Sequence, residues 1–275
     1  MDAFTYYLAF ARLAKVQFTT WGHPVTPGIA NIDYFLSTPH AEPQDAQRFY
    51  HEELVMIDDL LPRVYSDQPL SPSALDFRAR LGLAPGSRLY VCPQTLYKFH
   101  PDFDAAVLDI LRRDRDGRLV LIAANAAWNQ RLLRRLQQAD ADAAARVVFH
   151  PSLPLPDFLA LMKQADALLD TFHFGGGSSS YEAFSLGVPV VTLPAAMLRG
   201  RLTLGWYRMM GVSRWVARSP EHFAELALEL AHGDAAQRRQ WSEEIVAGAA
   251  RIVDDERMLR QLEAFVESAL ARAQA

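Results

Sequence analysis

Three segments carry residue types that could handle an anionic ligand. The first runs from Asp170 through Thr171, Phe172, His173 and Phe174 into Gly175, Gly176, Gly177, Ser178, Ser179 and Ser180, and on to Tyr181 and Glu182. Consecutive glycines let a backbone approach a ligand closely. The serines open a helix, and one of them is expected to cap it. Free amides at that helix start, with the helix dipole, favour a negative charge, most simply a diphosphate. Glu182, expected on the first turn and about one turn past Ser178, could accept hydrogen bonds from ribose hydroxyls. The same residues also fit a flexible Gly/Ser turn, and they match neither a P-loop nor a dinucleotide fingerprint.

The second segment, 92–101, places Gln94, Thr95 and Lys98 after one strand and before a helix. A lysine there is either a surface cation or, if it faces the glycine-rich loop, a charge partner for a departing phosphate. The third is the turn at 21–28, with His23 close to Thr26 and Gly28; a histidine in a strand-end loop serves structure or proton transfer. Asp140 and Asp142 form an Asp-X-Asp inside an Ala-rich helix end, which reads as a solvated face. No Cys/His cluster has metal-ligand spacing, and there is no Gly-X-Ser-X-Gly elbow. Arg131, Arg134 and Arg135 are expected on an exposed helix face, and 114–117 as a turn.

The elements that must position these residues alternate. Short apolar runs at 88–92, 119–124, 146–150, 167–171, 188–193 and 214–217 read as strands. Segments 101–114, 128–138, 156–164, 179–186, 196–210 and 220–232 read as helices. Such alternation with short connections predicts βαβ units and a parallel, doubly wound sheet. Ligands bind such sheets at the carboxyl ends of the strands, at the switch point. The first 85 residues differ: strands are expected at 16–20, 33–36 and 53–57, with helices weak or absent between them and a linker at 67–73. Three short strands bury no core alone. The stretch from 235 reads as helical, with Ile252, Met258, Leu259, Leu262 and Phe265 available for one face.

The 275 residues are 50% hydrophobic and 22% charged, with a formal net charge of -4. These are globular proportions without a basic nucleic-acid surface or a polybasic membrane patch. The single cysteine, Cys92, allows no internal disulfide and fits a reducing compartment. No signal-peptide pattern and no long apolar run is read, so the expected address is the cytoplasm.

In order, spacing and wording, four blocks resemble the catalytic region of glycosyltransferase family 41, which includes the O-linked N-acetylglucosamine transferases, the SPINDLY proteins and bacterial N-glycosyltransferases. They are VQFTTWGHPVTPGIANIDYFLS, HEELVMID, CPQTLYKFHPDF and ADALLDTFHFGGGSSSYEAFSLGVPVVTLPAAMLRGR, spread over most of residues 14–218. The resemblance implies an α/β, GT-B-like architecture: one complete Rossmann-like domain plus the remnant of a second. It implies a UDP-sugar donor, no metal or other cofactor, and inverting transfer of GlcNAc or a hexose to a protein Ser/Thr hydroxyl or Asn amide. The implied partners are thus a UDP-sugar and a protein or peptide acceptor, with neither nucleic acid nor membrane.

Carried over by motif, Lys98 matches the lysine at the donor diphosphate, and Gln94 or Thr95 a neighbouring polar contact. Gly176, Gly177, Ser178 and Ser179 form the donor loop, Glu182 the ribose position, and His23 the cleft-lining turn and candidate base. The sequence departs from the family where Gly177 replaces a histidine, and where Leu155 and Phe158 stand near positions that hold a lysine and a histidine. In the family, a substantial stretch of the first domain precedes the region resembling residues 1–20. The expectation is therefore a truncated half-site: 1–70 the acceptor-side remnant, 71–245 the nucleotide-sugar domain, 246–275 a helical segment. Such a chain is a fragment, needs a partner, or binds a nucleotide sugar without transfer; a GT-B enzyme acting on a glycan or small molecule is the alternative within catalysis.

Overall fold

A computed structural model of the chain describes residues 3–58, 70–252 and 257–274. The N-terminal part holds helix α1 (Ala3–Leu8) and strands β1 (Phe18–Thr20), β2 (Tyr34–Ser37) and β3 (Glu53–Met56). There follow α2 (Phe77–Arg80), β4 (Leu89–Cys92), α3 (Pro101–Arg113), β5 (Arg118–Ile122), α4 (Ala126–Ala139), α5 (Ala141–Ala144) and β6 (Val147–His150). The chain continues through α6 (Leu155–Gln164), β7 (Ala167–Leu169), α7 (Ser178–Ser185), β8 (Val190–Val191), α8 (Leu202–Met210), α9 (Pro220–His232), α10 (Ala235–Ala249) and α11 (Arg257–Arg272).

Local chemistry explains the helix starts that flank the site. His100 caps α3 by accepting from the Asp102 amide, Pro101 fills the first turn, and Asp102 and Asp104 complement the dipole. Asn125 caps α4, Ser219 caps α9, and Asp234 with Gln237 forms a capping box on α10.

Strands β4 to β8 form one parallel sheet in the order β6-β5-β4-β7-β8. The chain winds outward from β4 through β5 to β6, then returns to the other side of β4 for β7 and β8. Such a reversal opens a crevice at the carboxyl ends of the two central strands. Here these are β4 and β7, so the loops after residues 92 and 169 are forced side by side. Strand β4 is buried at every residue, Leu89 to Cys92, as a strand covered by helices on both faces must be.

The sheet β1-β2-β3 is also parallel. Its strands are too short to enclose a core, and α11 covers one face. The Phe265 ring meets Tyr34 and Phe18 edge-on at 5.2 and 5.5 Å, and Leu36, Ile57, Phe265 and Ala269 are buried together. Phe35 and Ala41 instead join the large core beneath the five-stranded sheet. Arg208 donates to the His40 carbonyl at 2.9 Å and Arg201 to that of Ala41, tying the turn after β2 to α8.

The expectation of weak or absent helices between the three N-terminal strands stands, with a single 3-10 turn, Ala46–Phe49, between β2 and β3. Several other sequence expectations are corrected. The expected strand at 214–217 is a single bridge between Thr192 and Val216. The expected helix at 196–210 splits into a 3-10 turn, Leu198–Gly200, and α8. Arg135 does not belong to a free surface, because it donates from Nε and Nη2 to the buried Asp104 carboxylate. Leu259 points to solvent, and Ile252 packs in the main core rather than beside Phe265. Residues 67–69 of the expected linker lie outside the described residues. Among the described residues, no helix is long and apolar enough to cross a membrane.

Because α11 is the cover of the small sheet, Phe265→Ala is expected to weaken its docking by about 3 kcal/mol. Amide hydrogen exchange should quicken across α11 and β2 and stay unchanged in β4 and β5. Unaltered exchange in α11 would rule out this packing role.

Candidate functional site

Asp170 directly follows strand β7 and is only 2% exposed. Its Oδ1 accepts the Gly176 amide at 2.6 Å, and its Oδ2 accepts the hydroxyls of Thr203 at 2.7 Å and Thr192 at 3.0 Å. Burial pushes this carboxyl upward, while the three hydrogen bonds and the nearby Lys98 charge pull it down. The bonds fold the glycine-rich loop back over the strand end. A Cβ on Gly175 would lie 2.7 Å from Asp170 Oδ2, and one on Gly176 would lie 2.8 Å from Gln94 Nε2 and run into Ser180 Oγ. Only residues without side chains fit both positions.

Helix α7 begins at Ser178 with Gly177 as its N-cap, which corrects the expectation of a serine cap. The serines instead fill the first turn. Ser180 is buried and shares a hydrogen bond with Thr203 Oγ1 at 2.9 Å, whereas Ser178 is exposed and Ser179 half-buried. The first amides of a helix have no carbonyl one turn back to bond, so they face outward as donors.

Across the crevice, Lys98 Nζ donates to Gln94 Oε1 at 2.8 Å and to the Gly175 carbonyl at 2.9 Å, and it lies 4.6 Å from the centre of the Phe174 ring. Gln94 in turn donates from Nε2 to Ser179 Oγ at 2.7 Å. An ammonium has three protons; two are committed to these oxygens. Burial lowers the Lys98 pKa, against the opposing pull of Asp170. A partly desolvated cation therefore stands beside the dipole-positive end of α7, an arrangement that receives an anion such as a phosphate.

Of the sequence-predicted residues, the structure brings Gln94, Lys98, Gly176 and Ser179 into one cluster. Thr95 does not join it: its side chain is exposed at the start of a 3-10 turn. Glu182 is half-buried one turn beyond Ser178, past the first turn of α7 rather than on it, and burial raises its pKa. His23 lies in the turn after β1, half-buried, with its pKa lowered by burial. That turn is anchored by the buried Glu52, which accepts from Thr26 Oγ1 at 2.7 Å and the Gly28 amide at 3.1 Å. Its Trp21 ring lies 3.8 Å from where a Gly177 Cβ would sit and packs edge-on against Trp206. Asp140 caps α5 and pairs with Arg112, and Asp142 reaches Arg146, so the Asp-X-Asp is structural.

Sequence reasoning passed over Asp170, Thr192 and Thr203. An acid at a strand end just ahead of consecutive glycines is a usable signal for the first; the threonines come from elements that only folding brings near. His100, Asp102 and His173 also meet on the surface beside Lys98.

The sequence profile of Glycosyl transferase family 41 matches residues 67–250. The chain belongs to glycosyltransferase family 41. It is 28% identical over 224 residues to the Solanum lycopersicum protein named "Probable UDP-N-acetylglucosamine--peptide N-acetylglucosaminyltransferase SPINDLY", covering 80% of this chain and 24% of that protein. It is 24% identical over 247 residues to the UDP-glucose:protein N-beta-glucosyltransferase of Actinobacillus pleuropneumoniae, covering 84% of this chain and 37% of that one. Among solved structures, a mutant O-GlcNAc transferase of Thermobaculum terrenum superposes with a TM-score of 0.78 at 29% identity, over 97% of this chain and 51% of the other. The sucrose-phosphate synthase of Thermosynechococcus elongatus shares the fold, with a TM-score of 0.61 at 16% identity over 88% of this chain and 59% of that one. This family 41 chain thus spans about a quarter of its plant relative and half of the solved transferase. Its α/β, GT-B-like fold is the one the motifs implied.

Removing the Asp170 carboxylate leaves the Gly176 amide and the buried Thr192 hydroxyl without an acceptor, and Thr203 with Ser180 and the Gly176 carbonyl alone. Asp170→Ala is expected to cost about 3 kcal/mol or more, measured as a lower urea midpoint with an unchanged slope. A loss under about 1 kcal/mol would show that the loop does not depend on this carboxylate.

Proposed function

We propose that the Lys98 cluster holds the diphosphate of a UDP-sugar, and that the chain takes part in inverting transfer of that sugar to a protein or peptide. The observation that carries this reading is the Lys98 ammonium, held by Gln94 and Gly175 beside the first turn of α7. As the bond to the anomeric carbon breaks, negative charge gathers on the departing diphosphate. Lys98 and the leading amides of α7 meet that charge in place, and each such contact is worth ~2–4 kcal/mol in the transition state. The proposed transfer uses no metal, since these groups supply the positive charge.

The remaining roles follow from position. Glu182 binds ribose hydroxyls, and a raised pKa is consistent with a carboxylate in low-polarity surroundings. His23 is the proposed base: burial lowers its pKa, which keeps the ring neutral and able to accept a proton near pH 7. The named activities of the plant and bacterial relatives differ in sugar and acceptor. The proposal accordingly covers GlcNAc or a hexose, and a Ser/Thr hydroxyl or an Asn amide.

Calorimetric titration with UDP tests the site directly. The wild-type chain should bind, and Lys98→Ala should bind about ten- to a hundredfold more weakly, the loss of one charge-assisted contact. Equal affinity for both proteins, or no binding by a folded wild type, would sink the assignment. Binding should also be pH-dependent. A lysine carries its charge only below its pKa, so UDP affinity should fall as pH rises through a value below the ordinary 10.5. Lys98→Ala should flatten that fall; an identical pH profile in the variant would assign it to another group.

A further inference from the structure

His100, Asp102 and His173 stand just outside the anion-binding cluster. Each offers a ligand atom, and these atoms lie within 4.8 Å of one another. His173 Nε2 is 2.7 Å from Asp102 Oδ2, and His100 Nδ1 is 3.3 Å from the same oxygen. The two imidazole rings stand edge to face with centres 4.6 Å apart. Two imidazoles and a carboxylate are the donor set preferred by zinc and similar first-row divalent ions. In a tetrahedral site with bonds of about 2.0–2.1 Å, neighbouring ligand atoms are about 3.3 Å apart. The His100–Asp102 pair already has that separation, and the His173–Asp102 contact needs to open by roughly 0.6 Å.

The three side chains are set by rigid surroundings. Asp102 and His100 stand at the start of α3, where His100 Nδ1 accepts the Asp102 amide at 3.3 Å; an ion bound at Nδ1 takes that lone pair in place of the cap bond. His173 is the one non-glycine residue with positive φ among those described, at 66°. Its backbone is pressed against Gly200, where a Cβ would come within 3.1 Å of the His173 carbonyl oxygen. All three are solvent-accessible and line a cavity of about 320 Å³ shared with Ala195, Met197 and Arg199. An ion and its water can therefore enter. Arg199 also lines this cavity, and its charge opposes any cation there, so the three ligands must hold the ion against it.

We propose that His100, Asp102 and His173 bind one zinc-like divalent transition-metal ion, which staples together the two loops that hold Lys98. The connection is short. His100 is two residues from Lys98; His173 precedes Phe174, whose ring carries Lys98, and stands two residues before Gly175, whose carbonyl holds it. In the ion's absence, the His173–Asp102 hydrogen bond links the same loops by one contact. The ion touches neither the diphosphate position nor the reacting atoms in this scheme, so its role is positioning. Its binding can be read without any sugar nucleotide, independently of the donor assignment.

The test is calorimetric titration of the full, chelator-stripped chain with Zn2+ alone. One ion should bind per chain. The double variant His100→Ala, His173→Asn should bind roughly tenfold or more weakly, asparagine being chosen because it tolerates positive φ. His51→Ala, an exposed histidine on the N-terminal part, should bind like wild type. Zn2+ should raise the Tm of wild type and not that of the double variant. Asp102→Asn gives a second, near-isosteric reading should the double variant lose its circular-dichroism signature. Undiminished Zn2+ binding in these variants, or weakened binding in His51→Ala alone, overturns the proposal, as does a wild type that binds no ion.

Discussion

A carboxylate buried at the end of β7 holds four parts of the molecule in register. Asp170 accepts from the glycine-rich loop at Gly176, from Thr192 just after β8, and from Thr203 on α8; Thr203 in turn meets Ser180 on α7. A charge in such a place is tolerated only when its oxygens are fully hydrogen-bonded, because desolvation costs several kcal/mol. That requirement leaves the loop one path. With Gly175 and Gly176 pressed against Asp170, Gln94 and Ser180, the chain enters α7 at Gly177 with no side chain capping its first amides.

Lys98 depends on this arrangement from the opposite side. Its ammonium bonds to the carbonyl of Gly175, within the loop that Asp170 secures, and to Gln94, which reaches across to Ser179. The order of the sheet makes this contact available, because β4 and β7 are neighbours although about 75 residues of chain separate their ends. The same crevice is closed from the N-terminal side. Arg201 and Arg208 hold the carbonyls of Ala41 and His40, and Trp21 packs on Trp206, which brings the turn containing His23 toward the start of α7. Beneath the site Cys92 is fully buried and its thiol is pushed up, so it contributes packing and not nucleophilicity.

Departures from the family motif have local physical consequences. Gly177, where the relatives' motif carries a histidine, removes a ring from the cap position and leaves backbone within reach of Trp21 and Leu202. Leu155 is exposed at the first position of α6, and Phe158 is half-buried against the main core.

The alternating pattern of apolar runs and capped helices was enough to read the class of fold. Leu89–Cys92 and Leu119–Ile122 are continuous apolar runs because both faces of the sheet are covered, and Pro101 and Pro220 mark real helix starts, whereas the helix expected from 128 begins at Ala126 behind its Asn125 cap. That Gln94, Lys98, Gly176 and Ser179 converge was also legible, since the loops after neighbouring strands of such a sheet share one edge. Other features were not. The 214–217 run has strand composition but makes one bridge, because the sheet beside it is short at β8. Arg135 carries the same exposed-face signature as Arg131 and Arg134, and only the packing of α3 against α4 gives it Asp104. The sequence by itself determined most strands and helices of the larger sheet, its parallel class and the chemical types at the strand ends, because these depend on local periodicity. Tertiary structure alone decided that Asp170 meets Thr192 and Thr203, that Gln94 rather than Thr95 faces the loop, and that His100, Asp102 and His173 converge. Those contacts join residues far apart in the chain, and no local pattern records which strands become neighbours.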